Sequence, residues 1–121
     1  MAKMSEEVKK AVAEIKPGLI ATASKTGKPN VSAKGSFRVL DDEHVVFALI
    51  KSPQTLANLR ENLQVAIICL NPKTRNGCRI SGKPELLDKG PLFDQFSQEY
   101  AERKLVVNHV VKVAVEDSYT F

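Results

Sequence analysis

Val45-Val46-Phe47-Ala48-Leu49-Ile50-Lys51-Ser52-Pro53-Gln54-Thr55-Leu56-Ala57-Asn58-Leu59-Arg60 sets a strand and a helix back to back. Residues 45–50 form an unbroken apolar run that reads as a buried strand. The helix then starts with its signals in order. Ser52 is placed to accept a hydrogen bond from an orphan N–H of the first turn, and Pro53 puts its ring where no donor is needed. Leu56, Leu59 and Leu63 follow at helical spacing, which predicts one inward face. The free amides of that first turn, with Lys51, Ser52 and Thr55 around them, describe a pocket for an anion, and the helix dipole favours negative charge there. A phosphate fits it. The same residues also describe an ordinary capped helix beside a solvated lysine.

Working outward, the chain alternates strands with tight turns. Ser5 to Ile15 carries Val8, Val12 and Ile15 at the spacing of a short amphipathic helix, with Ser5 as its cap and Glu6 and Glu7 in the first turn. Pro17-Gly18 ends it. Residues 19–24 read as a strand, residues 25–29 as a turn in which Gly27 takes positive φ, and Asn30 to Leu40 as one second strand. Asp41-Asp42-Glu43 turns that strand into the buried run. After the Ser52 helix come a strand over 64–70, the loop 71–77 with the hairpin signal Asn76-Gly77, and a returning strand over 79–87 bent at Gly82. Leu92, Phe93, Phe96 and Tyr100, with Arg103 in the same register, place a helix after Gly90-Pro91. Val110 to Glu116 closes the sheet. Six strands mostly joined by hairpins, with helices inserted rather than alternating, predict a mainly β protein: a six-stranded antiparallel barrel with flanking helices.

Composition removes whole classes of function. The 121 residues, 43% of them hydrophobic, suffice for a single domain over 1–121. No apolar run approaches the roughly 20 residues of a spanning helix, and the charged start Met1 to Glu7 lacks a signal-peptide core. The expectation is a cytoplasmic protein with no membrane role. The net charge is +4, yet lysines and arginines are scattered among acids, and two Tyr, five Phe and no Trp make a poor platform for bases. That argues against nucleic acid as a partner. Cys69 lies in an apolar run as a small buried hydrophobe, and Cys78 follows nine residues later, a spacing that fits no zinc pattern. Two free thiols and a disulfide between neighbouring strands both remain open. No metal site is expected.

The order of these pieces resembles a known family. Ile20-Ala21-Thr22-Ala23-Ser24, Gly27-Lys28-Pro29-Asn30-Val31, Val39-Leu40-Asp41 and Val45-Val46-Phe47-Ala48 run in the sequence seen in the FMN-binding split-barrel proteins, the pyridoxamine 5'-phosphate oxidase-like superfamily. Ser52 to Val65, Arg75-Asn76-Gly77 and Ile80 to Leu87 continue the likeness. It is strongest to small stand-alone FMN-binding proteins and covers the chain from Glu14 onward. The resemblance implies a split β-barrel, a homodimer, and FMN at the interface between two barrels. It puts the phosphate at Lys51, Ser52, Gln54 and Thr55, with Asn58 near it. It puts the flavin ring and ribityl chain along 32–37, where Lys34 and Ser36 are the polar side chains and Ala33 and Gly35 let a flat ring approach. Gln54 stands where the family commonly has a basic residue, and the chain stops at Phe121, short of the larger oxidases' substrate segment; both depart from a pyridoxine phosphate substrate.

Individual residues keep two readings. Lys34 reaches the phosphate or the flavin N1–C2 edge, where a cation stabilises reduced flavin, or it is a solvated strand lysine. Arg75, Asn76 and Arg79 reach the flavin from the second subunit, or form a plain hairpin. His109 lines the site or is structural, and His44 is a surface residue. No nucleophile elbow, dinucleotide loop or phosphate loop is present, so any chemistry would be the flavin's and the catalytic residues stay unassigned. The reading is a homodimeric FMN-dependent oxidoreductase or electron-transfer protein, the alternative a non-catalytic flavin or tetrapyrrole carrier or sensor.

Overall fold

In the computed structural model, which describes residues 2–121, one antiparallel sheet carries the whole architecture. Its strands are β1 (Gly18–Ala23), β2 (Pro29–Lys34), β3 (Arg38–Asp41), β4 (His44–Leu49), β5 (Val65–Leu70), β6 (Gly77–Leu87) and β7 (His109–Thr120). Three helices accompany them: α1 (Glu6–Glu14), α2 (Pro53–Glu61) and α3 (Pro91–Ala101). The spatial order is β2-β1-β5-β6-β7-β4-β3. The sheet therefore has seven strands rather than six.

The extra strand is the instructive difference. Asn30 to Leu40 is not one strand but the end of β2, a turn over 35–37, and β3. Those two strands form opposite edges of the sheet. Laid flat, seven strands at about 4.8 Å spacing would hold the edges roughly 29 Å apart. Four steps of chain from Lys34 to Arg38 reach only about 14 Å. The sheet must roll until its edges nearly meet, which makes it a split barrel. Ser36 and Phe37 turn inward at the join: Ser36 Oγ accepts the Ala48 N–H at 2.9 Å, and the Phe37 ring is fully buried.

Inside the barrel, Ile20, Phe37, Phe47, Ile67, Ile80, Val111 and Val113 form the main core, with Val8 and Val12 of α1 closing it. A second core lies outside β4 and β7, where Val46, Ala48 and Val110 pack on Phe96 and Tyr100 of α3. Burial on both faces explains why residues 45–49 read as a continuous apolar run. The α1 cap forms as expected, with Ser5 Oγ accepting the Val8 N–H at 3.2 Å. The bend predicted at Gly82 is a register shift between Ser81 and Gly82. Leu63 does not join the inward face of α2: it lies past the helix end at Asn62 and is 59% exposed. The hairpin between β5 and β6 forms, but the left-handed residue of its loop is Arg75 (φ 62°), not Asn76 or Gly77.

Candidate cofactor site at the start of α2

The two helix-starting serines of this chain behave differently, and the site follows from that. Ser52 occupies the N-cap position of α2, yet its side chain makes no bond to the helix. The expected cap is replaced by a tertiary contact: the Lys34 ammonium, at the end of β2, donates to Ser52 Oγ. Only the Ser52 carbonyl serves the helix, accepting the Leu56 N–H at 3.0 Å. Pro53 has no N–H, and the first-turn amides of Gln54 and Thr55 have no acceptor within a helix. An anion can take that place. Lys34 is half-buried, and burial holds its ammonium below the ordinary lysine range.

Lys51 is exposed one residue away, at the mouth of a cleft of about 440 Å³ lined also by Leu49, Ile50, Ser52, Pro53, Leu56 and Asn108. Asn108 belongs to this cleft although nothing in the local sequence pattern singles it out. Its side-chain amide donates to the Ile50 carbonyl at 2.7 Å and its backbone N–H to the Leu49 carbonyl, fixing the segment that carries Lys51.

Thr55 and Asn58 sit deeper. Each is 1% exposed. Thr55 Oγ1 lies 3.3 Å from Asn30 Nδ2, which donates to it, and 3.1 Å from Ser32 Oγ. Asn58 Nδ2 donates to Thr22 Oγ1 at 3.1 Å while its Oδ1 accepts from Gln54 Nε2 at 3.0 Å. These side chains moor α2 on β1 and β2. Buried polar groups must find partners, and here the partners hold the helix start in place. Gln54 is itself exposed.

The remaining expected residues divide by position. Gly35 is exposed, with open space where a Cβ would stand, so a flat group meets no side chain there. The Ser36 hydroxyl points away, into the bond with Ala48. Arg75 and Asn76 lie in the β5–β6 loop; Asn76 lines a groove with α1 and the end of β7, and its side-chain amide donates to the Phe121 carbonyl. One protomer does not bring these two residues to α2. His44 is held by Asp41 at 2.8 Å, and His109, at the first position of β7, has Nδ1 buried without a hydrogen-bond partner among the described residues.

Reading the sequence alone missed a second group of cations. On the other side of the Gly35–Phe37 turn, a groove of about 480 Å³ is lined by Lys16, Arg38 and Arg103, with Glu99 as its acid. Arg38 Nη1 donates to both Glu99 carboxylate oxygens, at 3.0 and 3.1 Å, and its guanidinium stacks 4.0 Å over the Phe96 ring. The Lys16 ammonium donates to the Phe37 carbonyl, and burial, with Arg38 adding repulsion, lowers its pKa from the ordinary lysine value. The three residues are far apart in sequence, and no local pattern joins them.

The outer face of β2, β1 and β5 is apolar, with β6 adding Arg79 beside it. Leu19 stands opposite Ile68, and Ala21 opposite both Val31 and Ala66. With Arg79 they line a hollow of about 280 Å³, and Val31 is 64% exposed. Leu70 and Tyr119 are also exposed on this sheet.

Against known proteins, the model of the pyridoxamine 5'-phosphate oxidase family matches residues 4–120. The chain belongs to that family. A curated relative, an uncharacterized protein of Methanocaldococcus jannaschii, is 40% identical over 73 residues, 59% of this chain. The match spans about half of that relative, 48% of its length. Group A Streptococcus HupZ shares the fold with a TM-score of 0.88 at 23% identity, over 98% of this chain and 94% of that one. An FMN-binding protein from Syntrophomonas wolfei gives 0.85 at 15% identity, over 95% and 84%. HutZ, the heme storage protein of Vibrio cholerae, gives 0.69 at 20% identity, over 99% and 94%. At these identities the likeness is one of fold. The fold is thus shared with one protein described as FMN-binding and another described as a heme storage protein. No helix among the described residues is long and apolar enough to cross a membrane.

Proposed function

We propose that this protein is a homodimeric FMN-binding flavoprotein, acting as an oxidoreductase or electron-transfer protein. The observation that carries the reading is the diverted cap: Lys34 engages Ser52, and two helix amides beside Lys34 and Lys51 are left for an anion. In this reading the amides of Gln54 and Thr55, with Lys34, Lys51 and Ser52, hold the FMN phosphate. Thr55 and Asn58 act through the helix, keeping those amides aimed. The open edge at Gly35 admits the ring, and the apolar outer sheet face receives the second protomer. Arg75 and Asn76 then come to the flavin from that protomer. When bound, FMN supplies the electron- or hydride-accepting chemistry. The chain supplies a cation at Lys34, a water-poor wall from Leu49, Ile50 and Leu56, and cations at Lys16, Arg38 and Arg103 for an anionic substrate.

The test is direct. Purified protein loaded with FMN and given NADH or NADPH without oxygen should bleach; a bound flavin that stays oxidised is the carrier's behaviour. Protein that cannot be loaded with FMN overturns both. Val31→Glu tests the dimer: it puts a charge on the apolar face and should convert a dimer to monomer in light scattering, with FMN binding lost together with the dimer. A wild-type monomer removes the second wall of the site.

A further inference from the structure

Cys69 and Cys78 stand directly opposite each other on β5 and β6. Both thiols are free, both point into the barrel core, and their exposures are 0% and 1%. Directly opposed residues of an antiparallel pair have Cα atoms about 4.5–5.5 Å apart, within the roughly 4.4–6.8 Å that a disulfide spans. No strand has to slide for the sulfurs to join. The backbones are also pressed together beside them: a Cβ on Gly77 would lie 1.9 Å from the Cys69 carbonyl oxygen.

We propose that Cys69 and Cys78 form a peroxide-oxidisable dithiol, an intrachain redox site separate from the cofactor site at α2. The two sulfurs are unequal. A hydrogen bond between them, reinforced by burial, pushes the Cys69 thiol far up, and the same bond draws Cys78 below its ordinary value. Cys78 is therefore the attacking sulfur and Cys69 the resolving one. The Cys78 thiolate attacks hydrogen peroxide, breaking the O–O bond and giving a sulfenic acid and hydroxide. The Cys69 sulfur then displaces water from that sulfenic acid, forming the S–S bond. Two thiols and one peroxide yield one disulfide and two waters. Access is short: between β5 and β6 only the pair Leu70–Gly77 separates the cysteines from the loop at 71–76, and on its other side Gly77 is held by Phe121, the last residue of the chain. Local opening at this end of the sheet admits a molecule as small as peroxide.

The experiment treats the folded full chain with a modest excess of hydrogen peroxide, then alkylates in denaturant and measures intact mass. Expected is the joint loss of both alkylatable thiols and of two hydrogens from one chain, reversed by dithiothreitol, with peptide mapping joining 69 to 78. Cys69→Ser should instead leave Cys78 gaining oxygen, whereas Cys78→Ser should leave Cys69 unreacted. The wild-type mass decides alone where either variant fails to fold. Two thiols still alkylatable after peroxide, oxygen added without a bridge, a bridge between chains, or one that forms only in unfolded protein would each overturn the proposal.

Discussion

Ser5 and Ser52 are the same residue type at the same position of two nine-residue helices, and they end in opposite roles. Ser5 bonds the Val8 amide and closes the start of α1. Ser52 is drawn off by Lys34, and the start of α2 stays open. A serine cap and an anion site thus share one local sequence signature. What separates them is whether a cation from elsewhere in the fold competes for the hydroxyl. Among the described residues no lysine of a strand bonds Ser5; Lys9, one of the two lysines of that helix, pairs with Glu6 and Asp42 instead.

The largest effect is expected in ligand binding. Lys51→Glu and Lys34→Met should each weaken FMN binding roughly ten- to a hundredfold, the loss of one charge-assisted contact, in a titration of FMN fluorescence quenching. Unchanged affinity in both would move the phosphate away from α2 and dissolve the contrast. Next in size is Thr55→Val, which removes the hydroxyl that Asn30 and Ser32 share and should destabilise the fold by about 1–3 kcal/mol in urea unfolding. The folded fraction should still bind FMN if the backbone amide, rather than the Thr55 hydroxyl, does the holding.

Smaller and sharper is the pair of caps. Ser5→Ala should cost about 1 kcal/mol of stability, the ordinary worth of a serine cap. Ser52→Ala should cost clearly less, since no cap bond is lost, and equal losses would show the two serines doing the same work. The smallest effect is in pH dependence. Burial lowers the Lys34 value in the folded chain, so between that value and the unfolded 10.5 the unfolded state binds more protons and stability rises with pH. Below the window the residue is charged in both states and its burial cost is constant. FMN affinity should fall across the same window as the cation is lost, and Lys34→Met should abolish that fall.

Much of the fold was legible because burial leaves a period. The α1 stripe, the run at 45–49 and the α3 stripe ending at Tyr100 each occur where their spacing put them. Residues 30–40 were not legible as two strands. Their alternation continues through the turn, and only the demand that two sheet edges meet breaks the strand there. In the candidate site, the fold brings the Lys34 ammonium to Ser52, with Lys51 next to it in the chain. Thr55 and Asn58 could be read as polar residues on a helix but not as buried anchors, because Thr22, Asn30 and Ser32 are 23 to 36 residues away. Lys16 and Arg38 left no local trace at all, and Arg103, read in the register of α3, lies past the end of that helix at Ala101.

By itself the sequence determined most of the elements, their antiparallel class and the family, because apolar spacing, turn residues and caps act over a few neighbouring positions. Tertiary structure alone decided which serine caps and which yields, which polar side chains are buried, and that two cysteines nine residues apart face each other. Those outcomes depend on strand register and sheet closure, which bring residues together across distances that no local pattern records.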